Sequence, residues 1–152
     1  MEYEERFMTE AIRQAKKAAK IGETPVGAVI VLNGKIIARG YNKRETKKNS
    51  LCHAELTAIH KASRRMESWR LIDCDLYVTL EPCPMCAGAI IQSRIKNVYF
   101  GAYDSKAGCA GSTLDLFQPG LFNHDVHVEG GHYQTKCAEL LSNFFRELRK
   151  KR

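Results

Sequence analysis

The cysteine pair in Pro82-Cys83-Pro84-Met85-Cys86 constrains this chain more than any other feature. It follows directly on the apolar run 76–80, whose length and bulky residues suit a buried strand. The order predicts a strand running into the N-terminus of a helix over 85–93. Cys83 and Cys86 stand three residues apart on the first helical turn, so their sulfurs face one side. The start of a helix carries partial positive charge, which favours thiolate over thiol. Roughly thirty residues earlier, His53-Ala54-Glu55 opens a second predicted helix, 54–65.

Two thiolates and an imidazole are three good zinc ligands. A structural zinc site normally closes with four protein ligands, whereas a catalytic one keeps a position for water. The spacing supplies three ligands: His53, Cys83 and Cys86. They neutralise Zn²⁺, so water at the metal can still lose a proton. Glu55 is placed to carry that proton. If Glu55 bound the metal itself, it would block the open position. A CxxC alone also marks a redox pair or half a zinc finger, and an HxE alone is weaker still. Together and in this order they are the known signature of the zinc-dependent base deaminases.

The rest of the sequence limits the setting. At 152 residues, 44% of them apolar, the chain suits one domain with one substantial core. No apolar run approaches the ~20 residues of a membrane span. The charged, amphipathic first twenty residues do not read as a signal peptide, which predicts a cytoplasmic protein. Without a secretion signal, the six cysteines read as thiols or metal ligands rather than disulfides. The net charge of +7 is clustered. Arg146, Arg149, Lys150, Lys151 and Arg152 face only Glu147 in the tail. Lys43, Arg44, Lys47 and Lys48 share a loop with Glu45. Lys61, Arg64, Arg65 and Arg70 surround Glu67. Such clusters suit a polyanion, although a solvated surface that keeps the protein soluble would read the same way.

Phe7, Met8, Ala11, Ile12, Ala15, Ala18 and Ala19 recur at helical spacing and predict an N-terminal helix. Ile21-Gly22 ends it. A strand over 26–32, the turn Asn33-Gly34 and a strand over 35–41 form a hairpin. Further strands are expected at 98–101 and, more weakly, at 126–128. Tyr133, Cys137, Leu140, Leu141, Phe144, Phe145 and Leu148 form an apolar helical stripe, expected to face the core. Alternating strands and helices predict an α/β fold, one sheet covered by helices on both faces. The opening hairpin makes that sheet mixed.

With these residues in view, the chain resembles the bacterial tRNA-specific adenosine deaminases, of the cytidine-deaminase-like superfamily, along nearly its whole length. The zinc motifs are common to that superfamily. Other stretches also carry the resemblance: Gly22-Glu23-Thr24-Pro25-Val26-Gly27-Ala28-Val29, Ser68-Trp69-Arg70-Leu71, Leu76-Tyr77-Val78-Thr79-Leu80-Glu81, Phe122-Asn123-His124 and Phe144-Phe145-Arg146. The resemblance implies a three-layer α/β/α domain over residues 1–152 with a mixed five-stranded sheet. It implies a homodimer, one zinc per subunit, and conversion of a wobble adenosine (A34) in a tRNA anticodon to inosine. His53, Cys83 and Cys86 would hold zinc, and Glu55 would shuttle protons. Asn42 would hydrogen-bond the target base. Ala54, Asp104, Lys106, Asn123, Phe145, Arg146 and Arg149 would lie at or near the substrate.

In that chemistry Glu55 takes a proton from water and delivers it to N1 of adenine, and oxygen adds at C6. Glu55 then protonates the departing amine. An anticodon loop is already single-stranded, so splaying the base out costs little. The chain departs from the family at Ser50-Leu51-Cys52, before the His-Ala-Glu motif. Cys52 is expected to be an inert core thiol, and Cys74, Cys109 and Cys137 buried thiols. His124 approaches RNA by resemblance. His60, His127 and His132 read as surface or satisfied residues. Two rival functions remain open on the residues alone. One is a deaminase of free guanine, cytosine or cytidine. The other is a zinc-stabilised nucleic-acid-binding module, which would need no Glu55.

Overall fold

The computed structural model describes residues 2–151; Arg152 of the basic tail lies outside them. Helix α1 spans Glu5–Lys20. Strands β1, Gly27–Leu32, and β2, Lys35–Tyr41, form the expected hairpin. Asn33 and Gly34 both take positive φ, 51° and 76°, which matches the right-handed twist of the flanking strands. Helix α2 is Ala54–Met66, strand β3 Cys74–Leu80, helix α3 Pro84–Gln92 and strand β4 Asn97–Ala102. A short β5, His127–Glu129, and helix α4, Gln134–Lys150, complete the chain.

The five strands make one sheet in the order β2-β1-β3-β4-β5. β1 pairs antiparallel with β2 and β3. β3, β4 and β5 run parallel. Helix α3 is the crossover between β3 and β4, as a parallel pair requires. The sheet is mixed and five-stranded, with a helical layer on each face.

Strand alternation divides the core in two. Ala28, Ile30, Leu76, Val78, Val98 and Phe100 meet Ala54, Ala58 and Ala62 of α2 and Ile90 and Ile91 of α3. Val29, Val31, Tyr77 and Tyr99 meet Phe7, Met8, Ala11 and Ile12 of α1 and Cys137 of α4. β3 is central and inward on both faces, so its apolar run is almost unbroken. At Gly27 a Cβ would collide with the backbone of Ala11 and Ala15. Glycine there lets α1 lie directly on β1.

The stripe on α4 departs from expectation. Cys137 is buried and Leu140 and Leu141 pack against the core, but Phe145 and Leu148 are 41% and 40% exposed. Helix α4 packs on β4 and α1. Its last turns border a groove shared with the end of α1, lined by Ala19, Gly22, Phe144 and Leu148. Cys52 is half-buried rather than a core thiol, whereas Cys74, Cys109 and Cys137 are buried as expected. Among the described residues no helix is long and apolar enough to cross a membrane.

Candidate active site

Two helix starts meet above the C-terminal end of β3. His53 is the N-cap of α2 and Cys83 the N-cap of α3. Neither side chain caps its own helix, so both are free to turn toward each other. Pro84 occupies the first turn of α3, where its missing N–H costs nothing. Cys86, one turn in, is fully buried. His53 Nδ1 lies 3.6 Å from Cys83 Sγ and 3.6 Å from Cys86 Sγ. The three ligand atoms are within 4.8 Å of one another, and they are the one such His/Cys/Asp/Glu group among the described residues.

This arrangement fits zinc. Tetrahedral bonds of about 2.3 Å to sulfur and 2.0–2.1 Å to nitrogen set the S···N distance at about 3.6 Å. The donor chemistry agrees. The hydrogen bond from Cys86 holds the Cys83 thiol down at about 4, with His53 helping, and the same contact pushes Cys86 well up. The Cys83 contact raises His53 in turn. Two thiols this close cannot both ionise without a cation between them. A divalent ion removes that conflict and ionises both. Two helix N-termini add positive potential at the same point.

Glu55 is on the first turn of α2 and only 4% exposed, yet its carboxyl lines the cavity beside the thiols. Burial pushes it up to about 7, and the neighbouring Cys83 adds to the rise. A carboxyl near neutrality can both take and give a proton. The cavity measures about 220 Å³. That is below the range of drug-sized ligand pockets and suits one flat heterocycle.

The structure brings together Asn42, Ala54, Asp104, His53, Glu55 and Cys83 in this cavity. Asn42 donates from Nδ2 to the Thr24 carbonyl at 3.2 Å and accepts at Oδ1 from the Arg44 N–H at 3.2 Å. One amide hydrogen and one lone pair are left to read a base edge. Lys106, Asn123, Phe145, Arg146 and Arg149 are exposed and do not line the cavity. His124 is half-buried, with its Nε2 2.8 Å from the Ile95 carbonyl.

Sequence reasoning assigned no role to Thr24, Val26, Arg44, Leu80, Glu81 or Ala107, which complete the lining. The signal lay in motif neighbours. Thr24 and Val26 precede β1, Leu80 and Glu81 precede Cys83, and Arg44 follows Asn42. Two of the buried carboxylates hold loops beside the cavity. Glu23 accepts from the N–H groups of Glu45 at 3.2 Å and Thr46 at 2.5 Å. Glu81 accepts from Asp104, Ala110 and Ser112. Burial opposes ionisation of both, and their hydrogen bonds outweigh it and hold both carboxyls below the usual range.

Comparison with known proteins agrees with this geometry. The family model for the cytidine and deoxycytidylate deaminase zinc-binding region matches residues 1–102. The tRNA-specific adenosine deaminase of Bacillus subtilis is 52% identical over 100% of this chain and 94% of its own length. A solved structure from studies of A-to-I editing by tRNA:A34 deaminases at the wobble position is 39% identical. It covers 91% of this chain and 100% of its own, with a TM-score of 0.87. Guanine deaminase from Bacillus subtilis is 42% identical over 76% of this chain and 74% of its own, with a TM-score of 0.66. The chain belongs to the cytidine and deoxycytidylate deaminase family, on the branch of the tRNA-specific adenosine deaminases.

Proposed function

We propose that this protein hydrolytically deaminates adenosine to inosine at the wobble position of a tRNA anticodon, releasing ammonia. The observation that carries the reading is the juxtaposition of Glu55 with His53, Cys83 and Cys86 at one base-sized cavity. Zinc held by those three residues supplies a Lewis acid that lowers the pKa of water at the site.

The side chains then have separable duties. Asn42 and Ala54 orient the base at the cavity wall. Glu55 takes a proton from the attacking water and hands it to N1, which makes C6 electrophilic. Oxygen adds at C6. Glu55 next takes the proton of the new hydroxyl and gives it to the amine, which leaves as ammonia. Val26 and Leu80 give the base an apolar wall. Asp104, Lys106, Asn123, Phe145, Arg146 and Arg149 contact the nucleotides flanking the target. Substrate binding by the exposed Lys106, Arg146 and Arg149 fits the clustered cations of a +7 chain.

The reading includes a single deaminase domain over residues 1–152, one zinc per subunit, a homodimer and a cytoplasmic location. Exposed Leu51, Leu114, Leu121 and Phe122 offer apolar surface that a second copy would cover. The likeness to a guanine deaminase favours one second reading, a deaminase of free bases. Incubating the zinc-loaded protein with a wobble-adenosine tRNA and with free guanine, cytosine and cytidine separates the two. Inosine in the tRNA supports the first reading, and turnover of the free bases alone supports the second.

A further inference from the structure

We infer that Glu81 is a positioning residue whose carboxylate clamps the 104–112 loop into place as one wall of the base cavity, and so sets how tightly the substrate base is held. The inference rests on the cavity being the base site.

Glu81 directly follows β3, two residues before Cys83, and is 2% exposed. Its own N–H donates to the Ala102 carbonyl at 2.9 Å, so its backbone is fixed to the end of β4. Its side chain reaches under the loop that follows β4. Oε1 accepts from the Asp104 N–H at 2.9 Å and the Ser112 hydroxyl at 2.5 Å. Oε2 accepts from the N–H groups of Ala110 at 2.9 Å and Ser112 at 3.1 Å. The donors come from both ends of a segment that contains neither helix nor strand.

No ion pair of Glu81 occurs among the described residues. Its charge is met by converging N–H dipoles, as in an anion nest. Gly108 makes the approach possible, because a Cβ there would fall on the Glu81 carboxylate. A second tie runs from the Cys109 N–H to the Pro82 carbonyl at 2.8 Å. The loop is thereby held in register with the turn that carries Cys83.

That loop delivers Asp104 and Ala107 to the cavity, and Glu81 lines it too. Asp104 spends Oδ1 on the N–H groups of Lys106 at 3.0 Å and Ala107 at 3.1 Å. Its side-chain direction therefore follows from the backbone that Glu81 fixes. Four donors need an acceptor-only group. A glutamine would offer one carbonyl oxygen and turn an NH₂ against N–H donors.

Three variants of the full chain, loaded with zinc, test the clamp: Glu81→Gln, Gly108→Ala and Ser112→Ala. The first changes the acceptor, the second displaces it, and the third removes one donor from an exposed position. Hydrogen bonds to a charged group are strong enough that KM for a wobble-adenosine stem-loop should rise at least about tenfold in the first two. Ser112→Ala should raise it about threefold. In all three kcat should stay within about threefold and zinc content should match wild type. Amide exchange should quicken in 104–112 and not in β1 or β3.

Unchanged KM in Glu81→Gln and Ser112→Ala would overturn the inference. So would a fall in kcat alone, or loss of exchange protection across the whole sheet. If the wild type acts on a free base instead of the stem-loop, the proposed function fails and the KM for that base is the one to compare. If the wild type edits the stem-loop and the variants bind it equally well, the clamp alone fails.

Discussion

Around the candidate metal site, His53 and Cys83 are fixed at two helix starts, and Cys86 and Glu55 by burial one turn in or less. At the far end of α4, Phe145, Arg146, Leu148 and Arg149 stand exposed on the last turns of the helix. The first region is finished before any substrate arrives. The second has shape only as a helix, and its side chains are free to adapt. Reaction chemistry needs atoms held within a fraction of an ångström, whereas contact with a flexible phosphate chain needs charge and reach. A rigid centre and an adaptable rim divide those demands.

Removing the metal should have the largest effect. Cys86→Ala, or prolonged chelation of the wild type, should abolish zinc binding and turnover together. Metal analysis alongside an inosine assay reads both. Retained activity without zinc would break the division at its rigid side. Next comes Glu55→Gln, which leaves the metal ligands untouched. Zinc and substrate binding should persist while kcat falls on the order of a thousandfold. Single-turnover kinetics separates that loss from binding.

Asn42→Ala removes an amide from the cavity wall, where it is proposed to read the base edge. The expected cost is about ten- to a hundredfold in kcat/KM on the full substrate. The smallest effects belong to the rim. Arg146→Ala and Arg149→Ala should each raise KM only a few-fold and leave kcat unchanged. Each cation removed from a phosphate should also flatten the salt dependence of log KM by about 0.7. A rim variant that lowered kcat as much as Asn42→Ala would mean α4 belongs to the rigid centre.

The two regions also differed in how far the sequence disclosed them. The zinc centre was legible because its residues lie within two short motifs whose helix-start placement fixes their direction. The hairpin was legible because Asn33 and Gly34 admit positive φ. The lining residues Arg44 and Glu81 were not legible, although each adjoins a motif. Their roles depend on loops folding back from elsewhere in the chain, which no local spacing encodes. Glu81 takes its partners from Asp104 through Ser112, more than twenty residues on. The α4 stripe misled for a related reason. Periodicity shows that Leu148 shares a face with Cys137, but not that a groove opens between the last turns of α4 and the end of α1.

A base-sized cavity with a zinc-binding triad beside it is expected to serve an RNA loop. The direct measurement is product formation by the zinc-loaded protein on an anticodon stem-loop with adenosine at the wobble position. Free adenosine, guanine and cytidine run in parallel. Inosine should form at that position, with turnover of the free compounds lower by orders of magnitude. Rapid deamination of a free base with no inosine in the stem-loop would contradict it.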